Sequence, residues 1–273
     1  EEAVSLYTRL YKRSAGDFGV VDALGQTYVE WAERIQNPVD RLEKFKKAND
    51  LYETYLMKKS RDVGAHFRLL DIAVRITNET LIDGRYKIIE KLNKKAINFP
   101  ILTRLASYYI DKRRLSDARK VLDKLIPLIK IKIRESDGAY VLDPSMNKFS
   151  NQKPVYDETL YQYGRLQTIN LDFVRALWAL SNAVGLNPSN AKAYNLMGEI
   201  YYTTDERPEA KRMAISLFET AQRIAPFYYK PYVNLGHLYF YNDLAFKDEE
   251  GALFKALGYY KVAYQLYQMG QID

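Results

Sequence analysis

The side chains best suited to catalysis are few and scattered. The two histidines, His66 and His237, lie far apart, and neither belongs to a His-x-x-x-His or His-Glu-x-x-His spacing that would place two metal ligands on one helix face. Cysteine is absent, which excludes thiolate metal sites and cysteine nucleophiles. No glycine-rich phosphate loop or Gly-x-Ser-x-Gly motif occurs. We interpret both histidines as surface or groove residues and predict a non-enzymatic protein without cofactor or metal.

Tyrosine is the chemistry-bearing residue that stands out, with 24 in a chain of 273 residues. Its rigid ring and single hydroxyl suit protein-binding surfaces as well as cores. We assign Tyr201, Tyr239 and Tyr260 to packing, because they recur at equivalent positions of a repeat described below. The tyrosines outside that pattern are candidates for contact with a partner.

Basic residues form a second group, because the net charge of +7 is unevenly distributed. Between Arg85 and Arg134, fifteen Lys or Arg stand against four acidic residues, so the rest of the chain is mildly acidic. Three interpretations remain open: solvated helix faces, a docking surface for an acidic partner, or, more weakly, contact with nucleic acid phosphates. The residues of this basic patch are Lys94, Lys95, Lys112, Arg113, Arg114, Arg119 and Lys120.

The elements that must position these residues are predicted to be helices, because Gly and Pro number only 13 and 9. A small residue recurs in one helix, and two alanines seven residues apart recur in the next. Helices approach closely only where side chains are small, so these positions mark contacts between paired helices. The three clearest sets are Gly164, Ala176 and Ala183; Gly198, Ala214 and Ala221; and Gly236, Ala256 and Ala263.

These residues and spacings resemble the tetratricopeptide repeat (TPR), a helix-turn-helix unit of about 34 residues that closes on a proline. The unit from Asp157 to Asn190, with Pro188, has this length without an insertion. The resemblance covers residues 18–54 and 99–267, and more loosely 63–98. It implies an all-α fold, a right-handed α-solenoid of about five to six helix pairs.

The repeat pattern divides the chain into three parts. Residues 1–134 are predicted to form degenerate N-terminal repeats that include the basic segment 85–134. Residues 135–156 are predicted to form a long loop or an insertion between repeats, because they lack a helical period. Residues 157–273 are predicted to form the C-terminal repeats with a final helix. No apolar run is long enough to span a bilayer, so we expect a soluble protein. Its compartment stays open between the cytoplasm and, after removal of a signal segment, the periplasm.

Proteins of this family generally bind through the inner face of their first helices. The resemblance therefore implies a groove built from the residues that flank the small contact residue on that face. Tyr, Arg, Asn and His side chains are suited to binding a peptide's main chain and side chains. The predicted groove residues are Arg104, Ser107, Tyr161, Arg165, Lys192, Asn195, Glu199, Tyr202, Lys230, Asn234, His237 and Tyr241.

Two functions are consistent with these features. The first is a non-catalytic scaffold or adaptor that binds a protein or peptide partner in the groove. The basic patch makes an acidic partner one of the options. The second is a structural subunit of a larger bacterial envelope or motility machine, assembled through the solenoid ends and the 135–156 loop. Self-association through the Tyr-rich C-terminal helix would belong to the second function.

Overall fold

The computed structural model describes residues 2–133, 140–142, 155–241 and 251–270. Helices dominate these residues, as predicted, and a short 3₁₀ turn follows at Ile126–Leu128. The helices are α1 (Glu2–Ser14), α2 (Phe18–Arg34), α3 (Pro38–Lys58), α4 (Val63–Arg75), α5 (Glu79–Leu92), α6 (Phe99–Asp111), α7 (Leu115–Leu125), α8 (Tyr156–Ile169), α9 (Phe173–Leu186), α10 (Ala191–Thr204), α11 (Pro208–Ile224), α12 (Tyr229–Tyr241) and α13 (Ala252–Gln268).

Most helices begin at an Asp or Asn whose side chain accepts a hydrogen bond from the first turn. The Asn190 Oδ1, for example, accepts from the Ala193 backbone amide at 3.0 Å. Asn37, Asp62 and Asn78 cap α3, α4 and α5 in the same way. These caps satisfy amides that have no partner inside the helix, so the local sequence fixes where each helix starts.

Three helix-turn-helix connections share one turn geometry. The second residue after the first helix has a positive φ in each: 54° at Thr77, 58° at Arg113 and 61° at Leu171. The next backbone amide then bonds back to a carbonyl five residues earlier, as between Asp172 and Gln167 at 2.9 Å. This left-handed C-terminal turn recurs after α4, α6 and α8, so the degenerate stretch 63–98 is built like the clearer repeats.

The helices pack as consecutive pairs, α2 with α3, α4 with α5, α8 with α9, α10 with α11, and α12 with α13. The next first helix also contacts the preceding second helix, as α10 contacts α9 and α12 contacts α11. The chain divides into two compact units, Glu1–Tyr108 and Tyr109–Asp273. The first has a core around Val21, Tyr52 and Leu69, and the second has several smaller clusters along α8 to α13.

Small residues in the first helices do mark points of close approach. A Cβ built on Gly198 would lie 2.6 Å from the ring of Phe218, and one on Gly236 would lie 2.6 Å from the ring of Tyr260. Gly164 meets Leu180 in the same manner at 2.8 Å. The close partner of the glycine is therefore a large side chain four residues after the first alanine of the second helix. The alanines themselves are buried beside it.

The segment between α7 and α8 contains a short antiparallel pairing of β1 (Ile131–Ile133) with β2 (Tyr140–Leu142). Where the sequence predicted a long loop or an insertion between repeats, residues 140–142 thus form a strand, whereas residues 135–139 and 143–154 lie outside the described residues. The predicted boundaries at 134 and 157 also differ from the observed units. The helix α7 packs against α8, and β2 contacts α9, which groups this region with the C-terminal helices.

Candidate functional site

The clearest candidate surface lies on the first helices of the C-terminal unit, where α10 and α12 run side by side. Asn195 Nδ2 donates to Glu199 Oε1 at 2.7 Å. Asn234 Nδ2 donates to Asn195 Oδ1 and to Glu199 Oε1, each at 3.0 Å. These bonds join the two helices and bring the predicted rows from both repeats together. We call this surface, with Tyr202, His237 and Tyr241, the first-helix face.

The same bonds correct one part of the prediction. Asn195 is only 2% exposed, and both ends of its amide are already engaged within the protein. Burying an amide is favourable only when its hydrogen bonds are satisfied, which this network achieves. Asn195 therefore supports the surface from below and does not offer its amide to a partner.

Aromatic side chains form the exposed part of the first-helix face. The His237 ring lies 6.1 Å from that of Tyr241 and 5.6 Å from that of Tyr260. His237 is exposed, and Tyr241 is 70% exposed. Burial raises the pKa of Tyr202, and the nearby phenol of Tyr241 raises it further. Tyr202 consequently remains a neutral hydrogen-bonding group at physiological pH.

A buried lysine holds one of these tyrosines in place. The Lys211 ammonium donates to the backbone carbonyl of Tyr202 at 2.6 Å and lies 4.5 Å from the centre of its ring. Lysine is rarely buried without such compensation. The contact fixes the end of α10 against α11, so that Tyr202 is positioned by the pair of helices and not by α10 alone.

On α8, the predicted residues separate into a core residue and an ion-paired one. Tyr161 is buried and belongs to the core cluster of α8 to α10, so its assignment to the groove is wrong. Arg165 lies near the Tyr161 ring and donates to Asp111 at 2.7 Å and to Gln162 at 2.8 Å. Arg165 thus already has an acidic partner, one that the sequence pattern did not indicate.

The two predicted groove residues of the first unit lie on α6. Arg104 forms an ion pair with Asp71, a nearly fully buried carboxylate that also accepts from Arg75 at 2.9 Å. Burial raises the pKa of Asp71, and the Arg104 guanidinium opposes that rise. Ser107 is half-buried. Arg104 therefore neutralises an internal charge.

A related network lies between α2 and α4. The Asp22 carboxylate accepts two hydrogen bonds from the Arg68 guanidinium, at 2.7 and 2.8 Å, and a third from the Tyr52 hydroxyl at 2.8 Å. Tyr52 is also the large side chain that meets Gly25. Burial raises the pKa of Tyr52, and the Asp22 charge adds to the effect. The sequence offers one local signal for this network. Asp22 stands three residues before Gly25, just as Asn195 stands three residues before Gly198.

Lys192 and Lys230 lie near the beginnings of α10 and α12. Lys192 is exposed and lines a cavity of about 420 Å³ together with Asp157, Glu158, Phe227 and Tyr228. Lys230 is half-buried, 5.9 Å from the ring of Tyr228. Both lysines are thus at one edge of the first-helix face and not at its centre.

The predicted basic patch falls on both compact units. Lys94 and Lys95 are exposed residues of the first unit, and Lys112, Arg113, Arg119 and Lys120 are exposed residues of the second. Arg114 differs from them. It donates to Asp117 at 2.9 Å and lies 4.5 Å from the centre of the Tyr109 ring, so it packs as part of the α6–α7 turn.

The two histidines have different environments. His237 lies on the first-helix face, whereas His66 is buried, so its assignment to a surface or groove is wrong. The His66 Nε2 lies 3.0 Å from the Ser60 carbonyl, and its Nδ1 lies 3.4 Å from Arg85. In the part of the chain that the structure describes, no group of three His, Asp or Glu residues is arranged to hold a metal ion. None of the described helices combines the length and apolar character needed to cross a membrane.

Successive helices pair, and α3, α9 and α11 are each contacted by the first helix of the next pair, which is the arrangement of a helical-repeat protein. No protein-family model matches the sequence, and no curated protein matches it either. Several solved structures, however, match the fold of this chain. A C-terminal part of a TPR repeat-containing protein from Cytophaga hutchinsonii is 15% identical, with a TM-score of 0.56, and the alignment covers 97% of this chain and 89% of that one.

Two further structures have the same fold. YrrB, described as a TPR protein with an unusual peptide-binding site, is 15% identical with a TM-score of 0.53, covering 80% of this chain and 97% of its own. PilW, described as a widely conserved type IV pilus biogenesis factor, is 12% identical with a TM-score of 0.55, covering 91% and 92%. The chain shares the fold of these TPR structures, and the predicted all-α, TPR-like solenoid fold is confirmed.

Proposed function

We propose that this chain is a non-catalytic scaffold that binds a segment of a partner protein on the first-helix face of its C-terminal unit. One observation carries the proposal. The Asn195, Glu199 and Asn234 network aligns α10 with α12. Beside it stand His237 and Tyr241, which are exposed although both carry aromatic rings. Exposed rings held on rigid helices are well suited to binding hot spots.

The chemistry of the face favours a protein segment with both apolar and polar side chains. Tyr202 and Tyr241 provide apolar area with little loss of rotamer entropy. Burial raises the pKa of Tyr202, so its hydroxyl remains a neutral donor. Asn234, half-buried, and His237 provide polar contacts between them. The peptide-binding site named for YrrB supports this class of ligand for a protein of the same fold.

The test uses a double variant, His237→Ala with Tyr241→Ala, in the full chain. Both side chains are exposed, so we expect unchanged helicity and a partner affinity weakened by about 2 kcal/mol or more. A partner captured from the native organism would be titrated by calorimetry against wild type and variant. Trp178→Ala is the matched control, because Trp178 is an exposed aromatic residue on the second helix α9. Equal affinity of the double variant and the control variant would exclude the first-helix face.

An acidic partner is the more specific form of this proposal. The exposed basic residues Lys112, Arg113, Arg119 and Lys120 would speed its association through long-range attraction. Replacing Lys112 and Arg119 with Glu should lower the association rate and its salt dependence while the dissociation rate changes little. Stopped-flow experiments at two salt concentrations measure the association rate. If the rate changes neither with the substitution nor with salt, these residues are only a solvated surface and do not attract the partner.

A second candidate function is a structural subunit of an assembly, in which the ends of the repeat array make the contacts. The exposed apolar residues of α13 favour it, and PilW, which shares the fold, is a pilus biogenesis factor by its description. This function predicts that the His237 and Tyr241 variant assembles normally, whereas substitutions on α13 do not.

A further inference from the structure

The last described helix, α13, buries one face and exposes an apolar one. Ala256, Ala263 and Leu266 are buried against α12, where Tyr232 belongs to the same cluster. On other sides of the helix Phe254 is 82% exposed and Leu257 65% exposed. Leu253 and Tyr264 are exposed as well, so large apolar side chains recur at intervals of three, four and seven residues.

The repeat shows what such positions do elsewhere in the chain. The buried series Ala214, Phe218 and Ala221 on α11 has the same spacing as Ala256, Tyr260 and Ala263 on α13. The series Ala176, Leu180 and Ala183 on α9 matches both. In this alignment, the residues equivalent to Leu257 are Leu177 on α9 and Ile215 on α11, and the residue equivalent to Leu253 on α9 is Phe173.

In the earlier repeats these residues are covered by the next first helix. Leu177 and Phe173 pack into a cluster that contains Ala193 and Ile200 of α10. Ile215 packs into a cluster that contains Leu235 and Leu238 of α12. Each is half-buried as a result. Leu257 has no such cover among the described residues, although it occupies the same position on its helix.

We propose that this α13 face binds an amphipathic helix of a partner protein, seated where a further first helix would pack, with an apolar stripe flanked by acidic residues. The shape argument comes from the repeat, because α9 and α11 each receive a helix at the equivalent position. The charge argument comes from α13, which carries no acidic residue and whose exposed Lys261 lies one turn after Leu257, on the same side of the helix. The second lysine, Lys255, lies over the ring of Tyr239 in α12, 5.3 Å from its centre. Acidic flanks on the partner would complement Lys261.

The same charges argue against a second copy as the occupant. Two α13 faces would bring lysines from both copies together. The other terminal helix, α1, carries one acidic residue, Glu2, against Arg9, Lys12 and Arg13, so pairing α1 of one copy with α13 of another would also join two basic helices. Like charges placed together at an interface disfavour binding.

The test uses the full chain and two synthetic peptides of about 20 residues, long enough to form helix. Both carry the apolar positions of α10 (residues 191–204), and their remaining positions are glutamate in one peptide and lysine in the other. We expect the glutamate peptide to bind roughly tenfold or more tightly than the lysine peptide, measured by fluorescence anisotropy at low salt. Similar affinities for the two peptides would overturn the proposal.

Variants locate the site. Phe254→Glu with Leu257→Glu should weaken the glutamate peptide roughly tenfold or more, because it places charge on the apolar face and repels the acidic flanks. Val174→Glu is the matched control, since Val174 is also 82% exposed but lies on α9, and it should leave the affinity unchanged. Circular dichroism confirms that the variants fold. Equal affinity of the double variant and the control variant for the glutamate peptide would overturn the proposal. A wild-type dimer in sedimentation that the double variant abolishes would also overturn it, because a second copy would then occupy the face.

Discussion

Gly198 provides the sharpest test of how the helix pairs are held together. Gly198→Ala adds one methyl group that would lie 2.6, 2.8 and 3.0 Å from three ring carbons of Phe218. Phe218 is fully buried, so its ring cannot swing into solvent. Overpacking of this kind costs about 1 to 3 kcal/mol, whereas alanine gains about 1 kcal/mol over glycine in a helix. The free energy of unfolding of Gly198→Ala should therefore be lower, by the overpacking cost, than that of a Gly→Ala variant at a position with free space.

Gly258→Ala supplies that reference within the same unit, because nothing lies within 4 Å of the added methyl at Gly258 in α13. The helix-propensity gain is common to both variants, so the difference in their free energies of unfolding isolates the overpacking. We expect Gly198→Ala to be less stable than Gly258→Ala by about 1 to 3 kcal/mol in urea unfolding followed by circular dichroism.

A smaller ring partner should relieve the clash. In a double-mutant cycle, Phe218→Leu should couple favourably with Gly198→Ala, since leucine leaves space for the methyl group. If Gly198→Ala proves as stable as Gly258→Ala, or if the two substitutions in the cycle are simply additive, then Gly198 is not the point of close approach and the packing argument fails.

Three further predictions follow from other contacts. Asn195→Ala should lower the free energy of unfolding by about 1 to 3 kcal/mol, because Asn234 and Glu199 lose a buried partner; stability equal to that of His237→Ala would contradict the network. Asp22→Ala should cost about 2 kcal/mol, between the values for buried and exposed ion pairs, because Arg68 and Tyr52 both lose their acceptor. Its control is Glu43→Ala, which removes an exposed pair with Lys47 and should change thermal unfolding little. Leu171→Gly should raise stability by about 0.5 to 1 kcal/mol, since glycine adopts the positive φ without strain, whereas Leu171→Ala should not; equal melting temperatures for both variants would refute this.

The sequence alone determined the fold class and the register of the repeats. Gly164, Gly198 and Gly236 recur with their alanines because two helices can approach only where side chains are small. That requirement is local to each pair and leaves a regular trace along the chain. The same trace correctly indicated which first-helix positions of α10 and α12 lie side by side, since residues about one turn apart share a helix face.

The tertiary structure decided which of those residues are available. Asn195 is buried, and its side-chain oxygen accepts a hydrogen bond from Asn234, 39 residues later. Arg68 is paired with Asp22 across 46 residues. No spacing rule encodes such partners, because they depend on how successive repeats stack. Tyr161 and Tyr241 illustrate the same limit. Both are tyrosines near a small contact residue, yet neighbouring helices bury one and leave the other exposed, and burial is a property of the assembled helices.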